Sequence, residues 1–371
     1  MGDRSKILLI DVDSKIPNIA LMKIAAFYKS DYKIDIIKCY VSYYKSKQKK
    51  RTIDCSAYSK VFVSAIFPSS VEFIIVVGCK DITYGGSGYS LKTKLPDNIA
   101  KLKSCYLIYP DTDTSYGFLT RGCFRNCYFC IVPEKEGSCR KGEPLEMIVQ
   151  HKKVKFLDNN FLGYKFAKQL LLEIISSEIK CQFNQGLDIR ILNNDTAYLI
   201  SKINHLGEYY FAFDKISDEQ LITEKLNLFK KYIHTDWACK FFLYCHPDMD
   251  IVNDIHHRLD WCKSNKVLPY LMRDKTCFSS SNTNLYTDIA AWANQPGLFK
   301  NMSLKEFLAK RHSSNEVRNI KSAELFKLGK LNQDTLAMLT EINGKALVQS
   351  GIDSFNTYNE AEQLSSNDIL I

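Results

Sequence analysis

Lys6-Ile-Leu-Leu-Ile-Asp-Val12 is apolar at consecutive positions, without the polar alternation of a strand that faces water on one side. Such a run reads as a parallel strand covered on both faces. A turn carrying Asp13, Ser14 and Pro17 follows, then a helical stretch from Asn18 to Tyr28. Ile34 to Tyr40 and Val61 to Phe67 read as further strands, while Val71 to Cys79 fits either a strand or a short buried helix. Tyr84-Gly-Gly-Ser-Gly-Tyr89 is a tight connection needing positive φ, and it lacks the Gly-x-Gly-x-x-Gly spacing of a dinucleotide loop. This is βαβ logic. It predicts an α/β fold that starts with a small doubly wound, Rossmann-like sheet over residues 1–109.

Working outward, the pattern becomes regular from Tyr116. Strands are expected at Tyr116–Thr120, Val154–Asp158, Cys181–Asn184, Tyr209–Phe213, Lys240–Cys245 and Val267–Met272. Helices are expected between them, at Phe161–Ile179, Asp195–Asn204, Asp218–Tyr232 and Asp250–Ser264. These make six β/α units over residues 110–300. Residues 301–371 form a polar, mainly helical C-terminal extension, opened by the capping-box pattern Ser303-Leu-Lys-Glu306, with the last fifteen residues loosely ordered.

The chain has 371 residues, 46% of them apolar, which allows two or three domains with real cores. Its 13 cysteines are odd in number and scattered, unlike a dense disulfide framework. With no signal peptide in Met1-Gly-Asp-Arg-Ser-Lys6, reduced thiols and a cytoplasmic location are expected. No apolar run approaches the ~20 residues of a membrane span. Net charge is +9. Lys45, Lys47, Lys49, Lys50 and Arg51 form one basic run and Lys152, Lys153 and Lys155 another. A polyanionic partner fits this balance, although the first run has no interleaved aromatics and reads as a solvated loop.

The chemistry is concentrated in Gly117-Phe-Leu-Thr-Arg-Gly-Cys-Phe-Arg-Asn-Cys-Tyr-Phe-Cys130, where Cys123, Cys127 and Cys130 stand as Cys-x3-Cys-x2-Cys. Three thiolates so placed can hold three corners of a [4Fe–4S] cube and leave one iron open, as catalytic metal sites do. The competing reading closes a zinc site with Cys139, which has no close cysteine partner of its own. The run resembles the cluster loop of the radical S-adenosylmethionine (radical SAM) enzymes, including the aromatic Phe129 before the third cysteine.

That resemblance implies a [4Fe–4S] cluster whose open iron is chelated by SAM. It also implies reductive cleavage to a 5′-deoxyadenosyl radical that abstracts hydrogen from substrate, and a flavodoxin- or ferredoxin-like electron donor. The six β/α units suit the family's partial (β/α)6 TIM-like barrel, in which ligands meet at the C-terminal strand ends. The first domain is similar to a reduced cobalamin-binding domain, but its Asp-x-His-x-x-Gly signature is absent. No His precedes His151, which excludes His-on cobalamin there, and cobalamin is not expected. Asp13–Lys23, Gly85–Tyr89, Gly117–Gly137 and Asn184–Asp188 together resemble a set of radical SAM proteins with a degenerate cobalamin-type domain, met in phages and anaerobic bacteria. Cys39, Cys55, Cys79 and Cys105 are too scattered for the second cluster of the RNA methylthiotransferases.

For SAM, the resemblance directs attention to strand ends. Phe129 would shield the cluster and offer backbone to adenine. Asp158, Asn159 and Asn160 stand where the family often has a Gly-Gly-Glu-like segment; an ordinary turn or helix cap is the alternative. In Asn184-Gln-Gly-Leu-Asp-Ile-Arg190, Gly186 permits close backbone approach, Asp188 can accept from ribose, and Arg190 can grip a carboxylate. A local Asp–Arg ion pair is the competing reading there. Asp214 and His246, each ending a strand, are weaker candidates, and Cys239, Cys245, Cys262 and Cys277 read as buried small hydrophobes. The substrate is open, with the charge leaning to nucleic acid or a phosphorylated molecule. The rival function is a zinc- or cluster-stabilised nucleic-acid-binding protein without catalysis.

Overall fold

A computed structural model describes residues 5–41 and 49–313, apart from the side chains at 309, 312 and 313. Lys45 and Lys47 of the first basic run and the extension beyond residue 313 lie outside the described residues. The fold is mixed α/β with parallel sheets. Two compact units part between Gln185 and Gly186. The boundary expected at 109/110 falls inside the first unit, and that at 300/301 falls within the helix Pro296–Asn301 of the second.

In the first unit the strands are β1 (Lys6–Val12), β2 (Lys33–Cys39), β3 (Arg51–Asp54), β4 (Lys60–Ala65), β5 (Ile74–Val77) and β6 (Ile82–Gly85). They continue as β7 (Thr114–Gly117), β8 (Thr120–Arg121), β9 (Arg140–Lys141), β10 (Lys153–Phe156) and β11 (Lys180–Phe183). A parallel sheet of order β2-β1-β4-β6 places β1 in the interior, with Leu9 paired to Ile36 on one side and Phe62 on the other. Both faces of β1 are buried because alternate residues feed two cores. Ile7 and Leu9 join Leu21 and Ala25 of the helix Ile19–Tyr28, whereas Leu8, Ile10 and Val12 join Val61, Val63, Ile53 and Ile74. The second face is therefore covered by the parallel pair β3–β5, where a doubly wound fold would set a helix. Val71 to Cys79 resolves as a 3-10 turn, Pro68–Phe73, running into β5.

Strands β7, β10 and β11 form a second parallel sheet, in the order β11-β10-β7. Phe156, Phe161 and Phe183 pack at its core, their ring centroids 4.5–5.5 Å apart. The single helix expected over Phe161–Ile179 is two pieces, a 3-10 turn Phe161–Gly163 and a helix Ala167–Ser176. Asn160 caps the first piece through Gly163 N, at 3.1 Å, and the helix restarts only where Ala167, Leu170, Leu171 and Ile174 supply one buried stripe.

The second unit adds β12 (Tyr209–Ala212), β13 (Cys239–Cys245) and β14 (Leu268–Arg273), parallel and in that order. Helices at Asn194–Lys202, Glu219–Lys230, His257–Ser264 and Thr283–Ala293 alternate with them. Arg258 is wholly buried, yet its guanidinium is satisfied by Asp254 at 2.5 Å, Phe213 O at 2.9 Å and Tyr244 O at 3.0 Å. It ties the end of β12 to β13, as a buried charge does only when fully paired. The Ser303–Glu306 box forms reciprocally: Ser303 N donates to the Glu306 carboxylate at 2.6 Å, and Glu306 N donates to Ser303 Oγ at 3.2 Å.

Candidate functional site: a pinned cysteine hairpin

Cys123, Cys127 and Cys130 sit at the tip of an antiparallel hairpin within the first unit. Its limbs are β8 and β9, in which Thr120 pairs with Lys141 and Arg121 with Arg140. Gly142 N and Glu143 N donate to Leu119 O and Phe118 O, and Cys123 N donates to Gly137 O at 2.9 Å. The neck leaves no room for a side chain at Gly122. Its φ is +79°, and an added Cβ would lie 2.3 Å from Ser138 O and 2.5 Å from Gly137 O. Glu136 bridges the limbs through Arg121 at 2.7 Å and Arg140 at 3.2 Å.

The segment after β10 holds this hairpin from beneath. Asp158 is 1% exposed, and its Oδ1 accepts from Thr120 N at 2.5 Å and Thr120 Oγ1 at 2.6 Å, while Oδ2 accepts from Leu119 N at 3.3 Å. Burial pushes this carboxyl up to about 7, against the pull of the three donors. Asn159 Oδ1 accepts from Gly122 N at 3.2 Å, and Asn160 Nδ2 donates to Cys123 Sγ at 3.4 Å. All three residues therefore grip the cysteine loop itself, a role the sequence did not reveal; Asn160 doubles as the cap expected of a turn. Asn184, at the end of β11, is buried and its N–H donates to Phe156 O at 2.8 Å.

The three thiols lie half-buried, and those of Cys123 and Cys130 receive backbone donors. Arg125 N reaches Cys123 Sγ at 3.3 Å and Val132 N reaches Cys130 Sγ at 3.5 Å. Among the described residues, no three His, Cys, Asp or Glu side chains converge as one metal ion would require. A [4Fe–4S] cluster is held by cysteine thiolates. The donor chemistry at Cys123, Cys127 and Cys130 fits such a group. Phe129 packs edge-on against Tyr128, with centroids 5.3 Å apart. Cys139 is nearby, its Sγ 3.7 Å from Gly122 O; burial first, and Cys123 second, push its thiol up.

No protein-family model, curated protein or solved structure matches this chain. The functional reading therefore rests on the geometry.

The C-terminal edge of the first sheet is where an open α/β fold takes a ligand, at the switch between β1 and β4. Here the chain satisfies that edge by itself. Asn18 Nδ2 donates to Ser14 Oγ at 3.1 Å and Ser64 Oγ at 3.0 Å, and the Tyr109 hydroxyl donates to Asp11 at 2.8 Å. The Gly85–Tyr89 turn folds over the end of β4, with Gly88 N donating to Ala65 O at 2.8 Å.

The remaining sequence candidates belong to the second unit. Gly186 takes φ +87°, with Phe242 3.3 Å from where its Cβ would stand. Arg190 is held by Asp188 and by Asp218, each at 2.8 Å, so the local ion pair is present and gains a third member. Asp214 accepts from Tyr244 N at 3.1 Å, and burial pushes it up to about 6. His246 Nδ1 lies 3.4 Å from Asp248. No helix among the described residues is long and apolar enough to cross a membrane.

Proposed function

We propose that this chain is a radical SAM enzyme, with Cys123, Cys127 and Cys130 holding a [4Fe–4S] cluster. The observation that carries the reading is the pinned hairpin, whose three-cysteine tip is fixed by Asp158, Asn159 and Asn160 and supplied with N–H donors at sulfur. When bound, the cluster supplies the electron for reductive cleavage of SAM to methionine and a 5′-deoxyadenosyl radical, which takes hydrogen from substrate. The protein's own residues set the conditions. Asn160, Arg125 N–H and Val132 N–H lower the charge on the sulfurs, and such hydrogen bonds tune cluster potential. Phe129 covers the loop beside the third cysteine. Asp158, with both oxygens engaged, acts by positioning β8. Asn159 and Asn160 likewise position the loop through Gly122 N, Cys123 Sγ and Gly163 N, so any contact from them or from Asn184 to SAM would come in addition to these bonds.

The coarse fold supports the reading. The first sheet is Rossmann-like in strand order. Each unit supplies three parallel strands, β7, β10 and β11 in the first and β12, β13 and β14 in the second, together the number that a partial (β/α)6 barrel would need. Cysteines without a disulfide among the described residues suit a reducing cytoplasm, and a flavodoxin- or ferredoxin-like protein would supply the electron.

One observation favours a second reading, a zinc- or cluster-stabilised binding protein. Cys139 stands close enough to Cys123 for their charges to interact, and it could close the site. Anaerobic reconstitution with iron and sulfide, then EPR of the reduced protein with and without SAM, separates the two. The enzyme reading expects a [4Fe–4S]+ signal that shifts with SAM, release of 5′-deoxyadenosine, and loss of both in Cys123→Ala, Cys127→Ala or Cys130→Ala but not Cys139→Ala. Zinc retention that depends on Cys139 would establish the binding protein instead.

A further inference from the structure

The hairpin tip and the turn before the helix Ala167–Ser176 carry exposed aromatic rings that the proposed chemistry does not use. Tyr128 is 71% exposed, Phe124 49% and Phe166 49%. Two of these rings carry a cation: Arg125 lies 4.8 Å from the Phe124 centroid, and Lys165 lies 4.8 Å from that of Phe166. Phe124 packs on Gly163, where an added Cβ would stand 2.8 Å from the ring, which sets the cysteine loop alongside the segment Tyr164-Lys-Phe-Ala-Lys168. Charge in the neighbourhood is one-sided. Residues 118–141 hold five cations and two carboxylates, and residues 161–168 hold Lys165 and Lys168 with no carboxylate. One of the two carboxylates, Glu136, is committed to Arg121 and Arg140.

Half-exposed rings beside cations match one class of ligand better than others. An acidic protein would satisfy the cations and leave the aromatic faces unused. Duplex nucleic acid would meet the cations but keep its base faces stacked inside. Single-stranded nucleic acid offers both phosphates and open π-faces, the pairing that stacking platforms exploit. We infer that Tyr128, Phe124 and Phe166, with Arg125, Lys165 and Lys168, form a docking surface for single-stranded nucleic acid around the cysteine loop. The inference rests on the radical SAM reading only in naming that strand as substrate; the surface itself does not require it.

The test is fluorescence anisotropy of labelled twelve-nucleotide oligouridylate and oligodeoxythymidylate with the anaerobically reconstituted protein. Three phosphates neutralised by Arg125, Lys165 and Lys168 predict a log–log salt slope of about −2, roughly a twenty-fold loss between 50 and 200 mM salt. Tyr128→Ala and Phe166→Ala should each weaken binding roughly ten-fold, and Lys165→Glu should flatten the salt slope. Circular dichroism checks that each variant is folded. Aromatic variants that bind like the parent, or polyglutamate that competes as well as the oligonucleotide, would overturn the inference and mark an acidic-protein surface. Iron content and 5′-deoxyadenosine release are read on the same samples. Lost binding with an intact cluster removes the docking surface alone, whereas binding without any cluster removes the enzyme reading and leaves the surface standing.

Discussion

Replacing Asp158 by Asn should make the protein's stability less dependent on pH, and the sign follows from where the carboxyl sits. Its ordinary value is 3.8, and burial raises it to about 7 in the folded protein. A carboxyl that holds its proton more tightly when folded contributes fully below 3.8, and that contribution is withdrawn as pH rises from there through about 7. Linkage between 3.8 and about 7 makes the folded state on the order of 1 kcal/mol less stable at pH 8.5 than at pH 6 through this group. The amide introduced by Asp158→Asn would keep an oxygen for Thr120 N and Oγ1, which lie 2.5 and 2.6 Å from Oδ1. It would set an NH2 group against Leu119 N, the weakest of the three contacts at 3.3 Å, at a pH-independent cost of about 1 kcal/mol. Urea unfolding of both proteins at pH 6.0 and 8.5 gives four midpoints, and the difference of differences isolates Asp158 from every other titrating group. The expected result is a deficit for Asp158→Asn at pH 6.0 that shrinks or reverses at pH 8.5. The same pH response in both proteins would refute the argument. That result would show that the Thr120 and Leu119 donors hold the group ionised across this range.

Gly122→Ala forces a side chain into the neck of the hairpin at φ +79°. The backbone alone costs about 1–3 kcal/mol, so a wild-type urea midpoint would show that the neck is not closed at Ser138. Asn160→Leu removes the 3.4 Å donor to Cys123 Sγ. The reduction potential of the reconstituted protein should become more negative in an EPR-monitored titration, and an unchanged potential would detach Asn160 from the sulfur. His205 stacks on Tyr209 at 3.8 Å, and burial pulls it down to about 4. The unfolded chain then takes the proton first, so stability is lost as pH falls from 6.5 towards 4. His205→Gln should flatten that acid limb, and an equally steep limb in the variant would assign it to other groups.

The residues explain what was legible. β1 could be read because Ile7 to Ile10 leave no polar face, and both faces are indeed buried. Strands stand near the six later positions, within a few residues at their ends, although β10 and β12 alternate buried with less buried residues. The hairpin limbs were not found, because β8 and β9 are two residues each and no periodicity exists at that length. Phe161 to Ile179 read as one helix because its apolar spacing is nearly continuous; the Asn160 cap at Gly163 interrupts it. Asp158-Asn-Asn was open between ligand contact and turn, and its use as a cradle depends on Thr120, 38 residues earlier. Asp218 was likewise hidden from the Asp188–Arg190 pair by 28 residues of intervening chain.

The first sheet bears on the return limb of the hairpin at two places. Lys23, on the helix Ile19–Tyr28, is buried and donates to Ala100 O, Leu102 O and the Glu143 carboxylate, at 2.7–2.8 Å. Lys135, five residues past the last of the three cysteines, donates to Ser87 Oγ at 2.7 Å. The Gly85–Tyr89 turn thus folds over the end of β4 and also anchors the loop beyond the thiols. Residues 6–109 act as a buttress within the first unit: cutting the chain after residue 109 would strip the cysteine loop of Ser87 and take Lys23 from Glu143.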